Sequence, residues 1–159
     1  VKLVFFMLYT FLCQLAFSSS SPHLCPEDQA LALLQFKNMF TINPNASDYC
    51  FSMITGREIQ SYPRTLFWKK STDCCSWDGV HCEKTTGQVI ELDLRCSQLQ
   101  SKFRSNGSLF QLFNLKRLDL SLNDFTGSLI SPKFGEYFSS LMHLDLSLSG
   151  FTGLIPSEI

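Results

Sequence analysis

The tripeptide Leu-Asp-Leu occurs three times in this chain, at a constant interval. The copies are Leu92–Leu94, Leu118–Leu120 and Leu144–Leu146. Successive copies begin 26 residues apart. A repeat of this length indicates a chain of stacked units, here called coils, because so short a unit buries its apolar side only against its neighbours. Other positions recur at the same interval: Leu112, Leu115, Asn123, Phe125 and Gly127 return as Phe138, Leu141, Ser149, Phe151 and Gly153.

The spacing fits L-x-x-L-x-L-x-x-N-x-L, the pattern of leucine-rich repeats. Alternate residues of a strand point to the same side, so each copy predicts one short strand with its leucines facing inward. We expect an α/β-type leucine-rich repeat solenoid over residues 89–159, with about three incomplete repeats and short parallel strands on its concave face. Asn123 lies where an inward amide satisfies neighbouring backbone groups, and Ser97 and Ser149 at the same repeat position satisfy fewer.

The segment 1–21 is typical of a secretory signal peptide. Lys2 precedes an apolar run from Leu3 to Phe17, and small polar residues follow as far as Ser21. The run has about 15 residues, whereas a membrane-spanning helix needs about 20. We therefore expect a secreted chain, or one at the extracellular face of the plasma membrane; an uncleaved anchor is the alternative.

Removal of the signal leaves six cysteines, all of them before residue 97. An even number of cysteines in a secreted chain predicts disulfides, and six cysteines allow 15 connectivities. The spacing favours one disulfide that closes a short loop and a second that joins the start of a helix to that loop. The two remaining cysteines form the third pair by elimination. The expected disulfides are Cys75–Cys82, Cys25–Cys74 and Cys50–Cys96.

Two other functions of the cysteine cluster compete with disulfides. A zinc site could use Cys74, Cys75, His81 and Cys82, but zinc knuckles use C-x2-C spacings, and adjacent cysteines point apart. A catalytic Cys–His pair would need a free thiol in an oxidising compartment. We therefore expect no metal and no cofactor.

Residues 22–88 predict a disulfide-bonded helical N-terminal cap. Pro26 suits the first position of a helix, and Glu27 and Asp28 suit the positive end of its dipole. An apolar run continues to Phe40, and the polar stretch 45–64 predicts a loop. The first coil has no preceding neighbour, so the cap is expected to cover its open core.

Charge and composition exclude several classes of protein. A net charge of −1 with 17% charged residues does not fit a basic nucleic-acid-binding protein. The strand residues beside the leucines are instead candidates for contact with a protein ligand on the concave face. These candidates are Glu91, Asp93, Arg95, Arg117, Asp119, Ser121, His143, Asp145 and Ser147.

The three aspartates among these candidates would stack at about 4.8 Å, the spacing of neighbouring strands. Such a column repels itself unless neighbours such as Arg95 and Arg117 compensate its charge. The column either contacts a charged ligand or is simply the consensus residue of the repeat, and we favour the second interpretation.

The order His143, Asp145 and Ser147 mimics a hydrolase triad on one strand. Residues two apart on a strand are about 6.6 Å apart, whereas a triad needs contacts of about 2.6–3.2 Å. A nucleophile elbow of the G-x-S-x-G type is also absent from the sequence. We therefore expect a protein that is not an enzyme.

Two sequons for N-linked glycans lie in predicted loops. They are Asn45-Ala46-Ser47 and Asn106-Gly107-Ser108. Secretion would make Asn45 and Asn106 candidate glycosylation sites.

Several segments resemble plant extracellular receptors. Leu112–Gly127 resembles the plant-specific leucine-rich repeat, and Phe151–Pro156 resembles its G-x-I-P loop. Asp73–Cys82 is similar to the signature of the plant N-terminal cap, and Cys25–Lys37 extends that match. The whole chain resembles the tomato receptor-like proteins of the Cf class, which confer resistance to the leaf mould fungus Cladosporium.

The resemblance implies an extracellular solenoid that senses pathogen proteins (effectors) in the apoplast and signals through co-receptor kinases. It implies membrane attachment only through a span that this chain does not contain, and it supports the pairs Cys25–Cys74 and Cys75–Cys82. Val1 in place of Met and the stop at Ile159 inside the pattern predict the N-terminal part of a longer receptor. The alternatives are a secreted inhibitor of microbial polygalacturonase and a nonfunctional truncated remnant.

Overall fold

The computed structural model describes residues 24–52, 54–104 and 107–159. The predicted signal peptide and the candidate glycosylation site Asn106 lie outside these residues. Within the described ranges, no helix has the length and apolar character needed to cross a membrane.

The first helix, α1, spans Glu27–Lys37 and packs against the start of the repeat region. Pro26 precedes the helix with extended backbone angles, so its predicted place at the first helical position is wrong by one position. The helix also ends at Lys37, before the apolar run does, because the backbone N–H groups of Met39 and Phe40 bond carbonyls three residues back instead of four.

Two polar contacts join α1 to the first coil. The side-chain oxygen of Gln29 accepts a hydrogen bond of 2.8 Å from the backbone N–H of Val89, and the Ser108 hydroxyl donates one of 2.7 Å to the carbonyl of Ala32. Leu33 and Phe36 follow these contacts along the helix and are fully buried in the core. The helix therefore closes one side of the repeat core, where an unpaired coil would expose leucines.

The main sheet contains four strands, of which the first was not expected from the sequence. This strand, β2 (Val80–Cys82), pairs antiparallel with β3 (Val89–Asp93). Strands β5 (Arg117–Asp119) and β7 (His143–Asp145) continue the sheet in parallel. Leu92, Leu118 and Leu144 are register partners, so one period of the sequence equals one strand step of the sheet.

The remaining elements are short and lie outside the main sheet. Strand β1 (Thr41–Ile42) pairs antiparallel with β4 (Leu99–Gln100), and β6 (Ser128–Leu129) pairs in parallel with β8 (Phe151–Thr152). A short helix, α2, spans Lys133–Tyr137. Turns of 3-10 helix occupy Pro44–Ser47, Arg64–Phe67, Cys74–Ser76 and Ser108–Gln111.

Phenylalanines fill the core on the side opposite the sheet. The ring of Phe103 lies 5.5 Å from those of Phe134 and Phe151, and the ring of Phe125 lies 5.5 Å from Phe151. Phe125 and Phe151 occupy the same position in successive copies, so their contact is a stack between neighbouring coils. The 15 phenylalanines of the chain thus include a ladder of large apolar side chains.

Asn123 bonds five backbone groups from a buried position with 4% exposure. Its side-chain oxygen accepts from the N–H groups of Ser97 and Leu99 in the preceding coil at 3.0–3.1 Å. The hydroxyls of Ser97 and Ser149 each donate to a single carbonyl of their own coil. The carbonyls that accept from the Asn123 amide are those of Leu94, Leu120 and Ser121.

The described residues contain three disulfides. Two lie within the cap region, and the third joins the cap region to the first coil. One of them crosses from the loop after the Pro44–Ser47 turn to the region just past β3, and its two sulfurs lie in a small apolar cluster with Phe51 and Leu122. The pairs are those named from the sequence: Cys25–Cys74, Cys50–Cys96 and Cys75–Cys82.

Candidate functional site

Strands β3, β5 and β7 place the candidate ligand residues in columns across the sheet. Glu91, Arg117 and His143 are register partners and form one column. The three aspartates form the next column in the chain direction. The third column follows the strands and consists of Arg95, Ser121 and Ser147.

Each aspartate of the column ends its strand in the same way. Asp93, Asp119 and Asp145 accept hydrogen bonds of 2.9–3.1 Å from the backbone N–H two residues later. This short carboxylate-to-backbone bond stabilises the turn that leaves the strand. The repeated aspartate therefore has a structural role, which supports its interpretation as the consensus residue of the repeat.

The turn after each strand contains a residue with left-handed backbone angles. Cys96, Leu122 and Leu148 have φ values of 53°, 56° and 50°, and they occupy the same repeat position. Residues other than glycine rarely adopt this backbone conformation, so surrounding hydrogen bonds must stabilise it. The backbone N–H of Cys96 and that of Leu122 donate to carbonyls of the next coil, which supplies that constraint.

The two arginines named as possible compensators of the aspartate charge behave differently. The Arg117 guanidinium lies 3.7 Å from the Asp119 carboxylate. Arg95 instead donates to the backbone carbonyl of Phe51 and lies over the Phe51 ring. The Arg95 guanidinium therefore bonds the loop that follows Cys50, whereas that of Arg117 faces the column.

Burial raises the pKa of Asp119 above its ordinary value, and the charges of Asp145 and Asp93 add to that effect. Hydrogen bonds from the N–H and O–H of Ser121, at 3.0 and 2.6 Å, act in the opposite direction. An acid with a raised pKa in the folded state binds its proton more readily there than in the unfolded chain. Ionised Asp119 therefore costs the fold stability at neutral pH, and this cost disappears as the pH falls through its folded pKa.

The variant Asp119→Asn is expected to unfold at a higher denaturant concentration than the wild type at neutral pH. Asparagine keeps the side-chain oxygen that accepts from Ser121 and removes the buried charge. The difference should vanish below about pH 3.9, where aspartate is neutral in both states. Urea titrations at both pH values measure it, and a deficit at neutral pH would contradict the proposed cost of the charge.

Exposure divides the remaining candidates. His143 and Ser147 are exposed, and Arg117 is largely exposed. Glu91, Asp93, Arg95 and Asp145 are half-buried. Ser121 is buried, and its hydroxyl already donates to Asp119, so it has little surface to offer a ligand.

A groove that the sequence did not reveal lies beside the first coil. It has a volume of about 280 Å³ and runs between the loop after Cys50 and the end of β3, with Ile54, Tyr62, Asp93 and Arg95 among its lining residues. Phe51 and Glu58 form a bridge across this loop, and Ile54 at its tip is 96% exposed. A contact between segments so distant along the chain has no local sequence signal.

The sulfurs of Cys25, Cys75 and Cys82 lie within 4.8 Å of one another. All three are disulfide-bonded, and a disulfide sulfur lacks the thiolate charge that binds zinc or attacks a substrate. His81 is exposed on β2. The cluster therefore serves to hold the cap together, as the spacing of the cysteines predicted.

Comparison with known proteins places the cap and the repeats in one family. A model described as "Leucine rich repeat N-terminal domain" matches residues 26–50 and 60–83. The chain is 82% identical, over all 159 residues, to Receptor-like protein Cf-9 from Solanum pimpinellifolium. It is 81% identical over the same length to Receptor-like protein 9DC1 from the same species.

The chain belongs to the Cf-like leucine-rich-repeat receptor-like proteins. This confirms the resemblance found in the sequence. The match includes all of this chain and covers 18% of the length of each of these two relatives. A more distant relative, Receptor-like protein 35 from Arabidopsis thaliana, is 46% identical over 69% of this chain and 12% of its own length.

Solved structures similar to this Cf-like chain are leucine-rich-repeat ectodomains. The BIR2 ectodomain from Arabidopsis thaliana matches 84% of this chain and 60% of its own, with a TM-score of 0.55 and 26% identity. A chain from the BIR3–SERK2 complex of the same species matches 82% of this chain and 61% of its own, with a TM-score of 0.56 and 25% identity. The fold is therefore that of a leucine-rich-repeat ectodomain.

Proposed function

We propose that this chain forms the N-terminal part of the extracellular ligand-recognition domain of a plant immune receptor-like protein. The observation that carries the proposal is 82% identity to Receptor-like protein Cf-9 along the whole chain. The proposed ligands are pathogen effector proteins in the apoplast. Co-receptor kinases would bind the full-length receptor and carry the signal.

The proposed architecture is the first part of a solenoid that begins with a disulfide-bonded cap. Residues 22–88 would form the cap after removal of the signal at 1–21, and residues 89–159 the first coils. The parallel pairing of β3, β5 and β7 supports this layout, because each repeat of the sequence adds one strand. Further coils would extend the sheet beyond β7 in the same register.

The proposed ligand surface consists of the exposed and half-exposed side chains of the strand columns. Arg117, His143 and Ser147 have free surface on the last two coils, and the half-buried acids and Arg95 add charge beside them. A mixed charge pattern of this kind favours specificity over tight binding. The surface contains no arrangement for covalent chemistry among the described residues, so we propose a binding role and no enzymatic one.

The proposal is tested by replacing the matching N-terminal segment of Receptor-like protein Cf-9 with this chain. We expect the chimera to reach the plasma membrane and to trigger leaf cell death with the same apoplastic effector preparation as unaltered Receptor-like protein Cf-9, assayed in parallel. The triple variant Arg117→Ala, His143→Ala, Ser147→Ala is expected to weaken effector binding by about tenfold. Loss of one or two interface contacts has an effect of this size.

A matched control alters residues on the helical side of the coils. The double variant Gln111→Ala, Glu136→Ala should bind and signal like the unaltered chimera, because both residues lie away from the strands. A chimera that accumulates at the membrane and stays silent would contradict the proposal. Inhibition of a fungal polygalacturonase by the isolated chain would support the secreted-inhibitor alternative instead.

A further inference from the structure

An open groove exposes apolar surface between the cap and the third coil. It has a volume of about 370 Å³ and lies between the Pro44–Ser47 turn and the turns after β5 and β7. Tyr49 and Leu148 line it and are 84% and 63% exposed. Leu122, one coil earlier at the position of Leu148, is 4% exposed because Phe51 and the Cys50–Cys96 disulfide pack on it.

Asn45 lies at the edge of the same groove. Its side chain is exposed, and it lines the groove together with Tyr49 and Leu148. Asn45 is also the acceptor of the sequon Asn45-Ala46-Ser47. The covalent attachment point that this sequon supplies is therefore next to the exposed apolar side chains of the groove.

The hydroxyl of the sequon serine is already used in the folded protein. Ser47 is 4% exposed, donates a hydrogen bond of 2.7 Å to the Leu122 carbonyl and accepts one of 3.0 Å from the Gln98 N–H. Glycan transfer requires recognition of that serine or threonine. Attachment must therefore precede the packing of the Pro44–Ser47 turn against the second coil.

We propose that Asn45 carries an N-linked oligosaccharide whose first N-acetylglucosamine lies in this groove against Tyr49 and Leu148. Transfer from a lipid pyrophosphate-linked oligosaccharide forms a bond from the Asn45 Nδ2 atom to the sugar C1. It breaks the bond from C1 to the pyrophosphate oxygen, and the amide proton leaves to base. The inference rests on the extracellular location in the proposed function.

The chemistry of the groove suits a sugar. One face of the pyranose ring carries C–H groups, which pack on the electron-rich face of an aromatic ring such as that of Tyr49. Asp48, Asp124 and Thr126 line the polar edge and can bond sugar hydroxyls. The covalent tether keeps the sugar at a high effective concentration beside the groove, so weak contacts suffice.

The experiment uses the chain secreted from plant cells that are blocked at the high-mannose stage. One sample is treated with an endoglycosidase that leaves the first sugar, and another with an amidase that removes the whole glycan. We expect Tm to stay constant in the first sample and to fall by about 3–6 °C in the second. Nitration of Tyr49, measured by peptide mass spectrometry, should rise several-fold in the second sample alone.

Two controls separate the sugar from the asparagine side chain. Asn45→Asp from plant cells should match the amidase-treated sample, because the amidase leaves aspartate at the glycosylated position. Asn45→Gln from the bacterial periplasm should match its unglycosylated wild type. Asn106→Gln, which removes the other sequon, should leave Tyr49 nitration unchanged.

Two results would overturn the inference while leaving the receptor proposal intact. One is a secreted chain with no sugar on Asn45. The other is a glycan whose complete removal changes neither Tm nor Tyr49 nitration. A chain that stays in the cytoplasm would overturn both the glycan and the extracellular location.

Discussion

Replacing Asn123 with alanine is expected to lower the free energy of unfolding by about 2–4 kcal/mol. The variant removes an amide that bonds two N–H groups of the first coil, those of Ser97 and Leu99, and carbonyls of both coils. These backbone groups are buried, so water cannot replace the lost partner without opening the structure. Urea titration followed by circular dichroism measures the change.

The matched control is Ser97→Ala, at the same repeat position in the first coil. Ser97 is also fully buried, yet its hydroxyl donates to a single carbonyl at 3.4 Å. We expect a loss below about 1 kcal/mol. Equal losses in the two variants would show that the amide network between the coils contributes little.

Removing the Cys50–Cys96 disulfide is expected to cost about 4 kcal/mol of stability. The bond joins residues 46 apart, and the entropy that a cross-link removes from the unfolded chain grows with the length of the loop it closes. The double variant Cys50→Ala, Cys96→Ala also loses the apolar contacts of both sulfurs with Leu122. Urea titration gives the global effect.

Limited proteolysis gives the local effect of the same variant. Without the disulfide, the described part of the loop after Cys50 is held to the first coil by few hydrogen bonds. They join Arg95 to the Phe51 carbonyl, the Gln98 amide to Ser61, and the Tyr62 N–H to the Cys96 carbonyl. We expect cleavage in this loop before the repeat region is cut, because a segment held by few contacts opens locally.

The Cys75→Ala, Cys82→Ala double variant is the matched control, since its bond joins residues 7 apart. The same chain-entropy argument predicts a smaller loss of about 2.5 kcal/mol. A greater loss from the short disulfide than from the long one would contradict the role assigned to Cys50–Cys96.

Much of the strand layout could be predicted because it depends on a strictly local pattern. Alternating leucines define each strand, and the constant interval between the copies defines how the strands align. The role of Asn123 could be predicted for the same reason, since an inward amide at its repeat position reaches the backbone groups of the neighbouring coil. The helix bounds were less accurate, because the apolar run continues to Phe40, beyond the last helical turn.

The candidate site was less predictable, since its residues were identified by type and position without their contacts. Asp119 and Asp145 look identical in the sequence, yet the first is buried and the second is half-exposed. A neighbouring coil on each side covers Asp119, whereas β7 has a neighbour on one side among the described strands.

The sequence alone determined the period of the repeat, the inward leucines and the six cysteines available for the cap. These features depend on residue spacing, which can be read directly from the amino-acid sequence. Only the tertiary structure decided that the Arg95 guanidinium bonds the Phe51 carbonyl, that Ser121 is buried, and that Asn45 adjoins Tyr49 and Leu148. The first and the third depend on how a loop of the cap meets a distant coil, and the free energy of such a contact has no local signature in sequence.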